Sequence, residues 1–144
     1  MATNMVYRYS GEKTRVWALG AEFAPGLPVK SASAEPGVTL TATGGYTRTQ
    51  VTPPYTISGI PAGGVGLAAG EATVATDGTW DFDVVSSGAT PAPTSTPNNT
   101  LVYITSGNAL TLASSGNSVY GVVDYPKDYV KVAGTLPVKI GVFV

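Results

Sequence analysis

Hydrophobic and polar positions alternate along much of this chain, and most cleanly at its end. In LPVKIGVFV at 136–144, Val138, Ile140, Val142 and Val144 fall on one face at the period-two spacing of a half-buried strand. Lys139 falls on the other face. Such an apolar face needs a second sheet to cover it. With LVYITSGNALTLASSGNSVYGVVDYP at 101–126 ahead of it, the C-terminal third reads as a hairpin followed by two long strands. A second regular stretch lies at 71–84, where Trp80, Phe82 and Val84 share one face of a strand beginning at Thr79 and Asp81 and Asp83 share the other. Asp77-Gly78 supplies a turn before it.

Elsewhere the alternation is shorter. TRVWAL at 14–19 reads as a short strand, and VTLTA at 38–42 sets Val38, Leu40 and Ala42 against threonines. YTRTQVT at 46–52 continues in β-prone residues up to Pro53-Pro54, where a central strand cannot persist. SGIPAGGVG at 58–66 is a punctuated stretch, and a turn or two of helix is conceivable near Lys30–Glu35. SSGATPAPTSTPNN at 86–99 holds Pro91, Pro93 and Pro97 without apolar periodicity, which predicts a partly extended, exposed loop. The expected fold is all-β: a compact β-barrel or β-sandwich of short antiparallel strands, with an extended N-terminal arm and a Pro-rich loop. Residues 1–25 form the arm and first strands, and 26–144 the barrel or sandwich, within a single domain.

Composition agrees with that pattern. A chain of 144 residues suffices for one domain that buries a sizeable core without disulfides or metals. Charged residues are 12% of the chain, against about 25% in an average soluble domain, so its surface depends on hydroxyls, amides and backbone and suits packing against neighbours. A net charge of −1 with dispersed basic residues argues against nucleic acid, whose affinity comes from clustered Lys and Arg. The start, MATNMVYRY, has no apolar run after a basic end, and no long apolar segment follows, so neither a signal peptide nor a membrane span is expected.

Candidate chemistry is sparse. With no His and no Cys, Ser-His-Asp, Cys-His and His-rich zinc arrangements are excluded. Gly64, Gly66 and Ala69 match a G-x-G-x-x-A spacing, but the strand-like EATVATDGTW follows where a dinucleotide site needs a helix N-terminus. Asp81 and Asp83 share a strand face at a spacing a glycosidase pair could use, yet no aromatic sugar platform accompanies them, and a solvated acidic face is the simpler reading. No catalytic, cofactor or metal site is expected. Tyr7, Tyr9 and Trp17, beside Arg8 and Arg15, are types enriched at interface anchors, although a first strand could equally bury them in its own sheet.

From Gly26 to Gly141 the chain resembles tailed-phage head decoration, or capsid cement, proteins. The likeness lies in the order and spacing of GLPVK, PGVTLTA, GGVGLAAGEATVATDGTWDFDV, LVYITSGNALTL, GNSVYGVVDYPKDY and LPVKIG, most specifically over 64–141. Residues 43–63 and 86–99 look like variable insertions. The resemblance implies a non-enzymatic virion protein, made in the bacterial host cytoplasm, that binds the major capsid protein on the outside of an assembled head, often as a homotrimer. It implies no nucleic acid, membrane or small-molecule substrate. By analogy with lambda-type decoration proteins, an N-terminal arm contacts the shell, which here points to Asn4, Met5, Val6, Tyr7, Arg8, Tyr9, Arg15 and Trp17. The alternative is a fibre-tip or carbohydrate-binding β-sandwich, for which Tyr125 and Tyr129 in DYPKDY are the candidate aromatics.

Overall fold

The computed structural model describes residues 4–7, 14–61 and 67–141. In chain order the strands are β1 (Met5–Tyr7), β2 (Thr14–Ala18), β3 (Pro28–Lys30), β4 (Pro36–Thr39), β5 (Thr47–Thr52), β6 (Tyr55–Pro61), β7 (Glu71–Ala75), β8 (Gly78–Ser87), β9 (Thr90–Pro91), β10 (Leu101–Ile104), β11 (Leu110–Thr111), β12 (Ser118–Val123) and β13 (Thr135–Ile140). Among the described residues there is no helix, and the Lys30–Glu35 segment is the turn of the β3–β4 hairpin, closed by Ser31 and Glu35 through backbone and hydroxyl bonds.

Of the two architectures expected, the chain adopts the barrel. β8, β11, β10, β12 and β13 pair in that order, and β13 returns to β8 to close a five-stranded ring. The closing ladder runs antiparallel from Thr135↔Asp83 to Ile140↔Gly78. The alternation read from sequence is the wall of this barrel: Trp80, Phe82 and Val84 from β8 and Leu136, Val138 and Ile140 from β13 are all buried. Val142 and Val144 lie outside the described residues. Phe82 meets Tyr120 of β12 edge-on at 5.8 Å, and the Trp80 indole donates to the Asp77 carbonyl at 2.9 Å, so neither bulky ring is buried with an orphaned polar atom. Pro137 sits in β13 without disrupting the ladder: opposite it Asp81 directs its N–H to Asn4 instead, and the Pro137 carbonyl accepts from the Asp124 N–H at 2.9 Å.

The second sheet has the order β2-β7-β4-β3. Asp77-Gly78, expected as a turn, is the corner at which the chain leaves β7 in this sheet and enters β8 in the barrel. Val38 and Ala75 reach the barrel core, and the buried Tyr120 hydroxyl donates to the Gly37 carbonyl at 2.6 Å, tying barrel strand β12 to β4. The proline-rich segment is largely exposed, as expected, and it is also anchored: β8 runs on to Ser87, β9 folds back on it, and Ala92 and Thr96 are buried against the barrel. The backbone bond from Ala92 to the Val84 carbonyl and the Thr96 hydroxyl bond to Pro93 supply partners that proline itself cannot.

Two substitutions test this core. Trp80→Ala should cost about 3–5 kcal/mol by urea unfolding, through lost burial and the cavity left behind; a loss below about 1 kcal/mol would place the indole outside the core. Tyr120→Phe should cost about 1–3 kcal/mol, because the buried Gly37 carbonyl loses its donor.

Candidate protein-contact surface

Residues 4–7 lie along the barrel. Asn4 donates through Nδ2 to the carbonyls of Asp81 at 2.8 Å and Gly26 at 3.1 Å, and the Asp81 N–H donates back to the Asn4 carbonyl at 2.9 Å. β1 then pairs antiparallel with β8 at Met5↔Trp80 and Tyr7↔Thr79, with an irregularity across Val6. Val84 directs its N–H to Gly134 and its carbonyl to Ala92, so β13 and β9 occupy one edge of β8 while β1 and β11 occupy the other. One edge of β1 is therefore committed within the chain, and among the described residues the other has no paired strand. Arg8 and Tyr9 lie outside the described residues.

Arg15 and Trp17 belong to a different sheet. Among the described residues β2 pairs only with β7 and forms an edge of the four-stranded sheet. Arg15 is exposed, its guanidinium donating to the neighbouring Thr14 carbonyl. Trp17 is half-buried across Gly37, where a Cβ would come within 2.6 Å of the indole ring. Gly37 leaves room for the ring, and Trp17 acts as a lid on its own sheet. Val16, more than half exposed and on the opposite face, is the apolar side chain that β2 offers outward.

The element that sequence reading passed over as an insertion is the β5–β6 hairpin. Its strands pair with each other and form a sheet of their own, turning at a cis Pro53-Pro54 bond. The register Gln50↔Ile57, Val51↔Thr56 and Thr52↔Tyr55 puts Tyr55 and Ile57 on one face and Val51 on the other. These side chains are 72%, 56% and 67% exposed, and no charged residue occurs from 49 to 59. An isolated two-stranded ribbon is marginal in water. Here its base is stapled: Gly44 bridges Ala69, donates to the Glu71 carbonyl and accepts from Gly70, while Gly45, at φ 80°, packs on Ala69 so closely that a Cβ would lie 2.6 Å from the alanine Cα. The hairpin thus leaves the four-stranded sheet between the adjacent strands β4 and β7, near the end where Leu19 bonds to Gly70. β-prone runs on both sides of Pro53-Pro54 were the available signal.

The acidic and aromatic candidates lie elsewhere. A groove of about 670 Å³ crosses the outer face of β8, with Asp81, Asp83 and Val85 among Leu27, Pro28, Asn108 and Thr135. Asp83 is exposed, whereas Asp81 accepts the Tyr129 hydroxyl at 2.6 Å. The Tyr125 hydroxyl donates to the Thr96 carbonyl, the two tyrosine rings lie 5.6 Å apart, and Lys131 covers Tyr125 at 4.1 Å. With both hydroxyls engaged and a ring face occupied, these tyrosines form a surface brace rather than an open sugar platform. Among the described residues no cluster of acidic side chains converges as a metal site. No family model, curated protein or solved structure matches the chain.

Burial, and then the hydrogen bond and negative charge of Asp81, push the Tyr129 phenol well above its usual range. A raised tyrosine pKa means that the folded state favours the neutral phenol, so this contribution is present below the unfolded value of about 10 and is lost as pH rises towards the folded value. Thermal midpoints measured from about pH 9 to about pH 12 should therefore fall less steeply for Tyr129→Phe than for the parent. Equal slopes would show that the bond adds nothing to alkaline stability.

Proposed function

We propose that this chain is a structural protein of a tailed-phage head, bound to the outer surface of the assembled capsid and stabilising it against internal pressure. The observation that carries the reading is the β5–β6 ribbon: a solvent-exposed element whose outer part, 49–59, carries no charge and has apolar side chains on both faces, and whose base is held to the four-stranded sheet by a glycine staple. Such a ribbon gains most by being covered with protein, since its single Arg48 is no cationic cluster for nucleic acid and it has no core of its own. The resemblance across 26–141 supports the shell as the partner. The glycan-binding alternative is weakened by the engaged hydroxyls of Tyr125 and Tyr129.

The N-terminal strand takes a different part from that of a loose arm. Ordering a free arm costs about 1–2 kcal/mol per residue, which nearly cancels the net 0.5–1.5 kcal/mol returned by each backbone hydrogen bond. β1 is already ordered along β8, so a shell strand adding to its outer edge would extend the β8–β1 sheet without most of that cost. Several copies acting together on a shell would then multiply a weak contact through effective concentration.

Replacing residues 46–66 with a short Gly-Ser link between Gly45 and Leu67 should leave a folded domain by circular dichroism and urea unfolding. It should reduce co-sedimentation with expanded, empty heads at least tenfold. Undiminished binding by that folded variant would refute the reading. Asn4→Ala, which removes the bonds to Asp81 and Gly26, should weaken head binding less than the ribbon deletion and cost about 1–3 kcal/mol in stability.

A further inference from the structure

The geometry points to the groove across the outer face of β8 as the seat of an arginine side chain presented by a partner protein, its guanidinium held between Asp81 and Asp83. The groove measures about 670 Å³, within the roughly 300–1,000 Å³ of small-molecule sites. Its lining joins apolar walls, among them Leu27, Pro28, Val85 and Pro91, to two carboxylates, with no Lys or Arg. Both carboxylates project from one face of β8, on Cα atoms about 6.5–7 Å apart. Asp83 is exposed and has no hydrogen-bond or ion-pair partner among the described residues. Asp81 is held in place by the Tyr129 hydroxyl at its Oδ1, which leaves Oδ2 open. A third acceptor lies beside them. Asn4 directs its Nδ2 to the carbonyls of Gly26 and Asp81, both residues of the groove lining, and its buried Oδ1 has no partner among the described residues.

Acceptors without donors select the guest. Carboxylates in the groove repel phosphate, which excludes nucleic acid. Two of them fall well short of the roughly 6–8 oxygens of a calcium site, and no acidic cluster converges among the described residues. Arginine brings a permanent charge, several N–H donors and no acceptor, in a planar fork wide enough to engage two carboxylates together, whereas a lysine ammonium is a compact point charge. Its methylene stem matches the apolar walls. Because β8 is paired along both edges, a partner cannot add a strand to it and must enter side chain first, over the sheet face. The inference deepens the capsid reading by giving the chemistry of the shell residue, and rests on that reading only for the identity of the partner.

Asp83→Asn removes one charge from an exposed side chain, so its urea midpoint should match the parent's. The probes are two acetylated, amidated peptides, Ala-Val-Arg-Val-Ala and Ala-Val-Gln-Val-Ala, titrated at millimolar concentration into isotope-labelled protein and followed by NMR. The arginine peptide should move the amide signals of Leu27, Asp83 and Asn108, and those shifts should fall at least about threefold with Asp83→Asn or with the glutamine peptide. On expanded, empty heads, Asp83→Asn should lower co-sedimentation at least about threefold and Asp83→Lys at least about tenfold. Equal shifts from the glutamine peptide, or no shifts at the groove, would overturn the arginine site. Undiminished head binding by both Asp83 variants would overturn it too and leave the capsid reading standing. If the peptide results hold while the parent itself fails to bind heads, the arginine site stands and the capsid reading falls.

Discussion

The structure depends on β8 being paired along both edges for nearly its whole length. One edge holds β13 and then β9; the other holds β1 and then β11. Because side chains alternate across a strand, this double pairing fixes Trp80, Phe82 and Val84 towards the barrel interior and Asp81 and Asp83 towards solvent, and a one-residue slip would exchange them. Closure of the barrel, the seat of the N-terminal residues and the floor of the outer groove all follow from that register. β8 also begins at the Asp77-Gly78 corner, so the same strand determines how the four-stranded sheet meets the barrel.

The rigid and the interactive parts of the molecule are correspondingly separate. The barrel and its covering sheet share a core through Val38, Ala75 and the Tyr120 bond to Gly37, and this joint body has few charges on its outside. The features that the proposed reading assigns to contact sit at its margins: the outer edge of β1, Val16 on the edge strand β2, and the ribbon. On the capsid reading proposed above, stiffness in the body would pass to whatever the margins hold, and binding only the assembled state would shift the equilibrium towards it.

The sequence made the barrel wall legible because period-two alternation appears wherever one face is buried, as at 80–84 and 136–140. It could not disclose the ribbon in the same way. Neither of its faces enters the core, so Val51, Tyr55 and Ile57 produce no clear pattern of inside and outside. The seat of Asn4 was hidden for another reason: it requires a vacant length of the β8 edge beside β11, which exists only after the barrel has closed. Trp17 was open between contact and packing, and Gly37 beneath it, distant in sequence, decides for packing. Proline content showed the exposed loop at 86–99, but composition does not register the backbone bonds that anchor it at Ala92 and Thr96.

The glycine staple at Gly44 and Ala69 has a consequence for how such a molecule can change. It closes the excursion between β4 and β7 before the ribbon begins, so what lies beyond is a cassette in a socket. Its length, turn and side chains can be rewritten without disturbing a residue of the core, as loop insertions at closed ends carry only a small entropic charge. If the ribbon recognises a shell as proposed, recognition would diversify on an unchanged body, and the same socket offers a site for displaying a foreign hairpin.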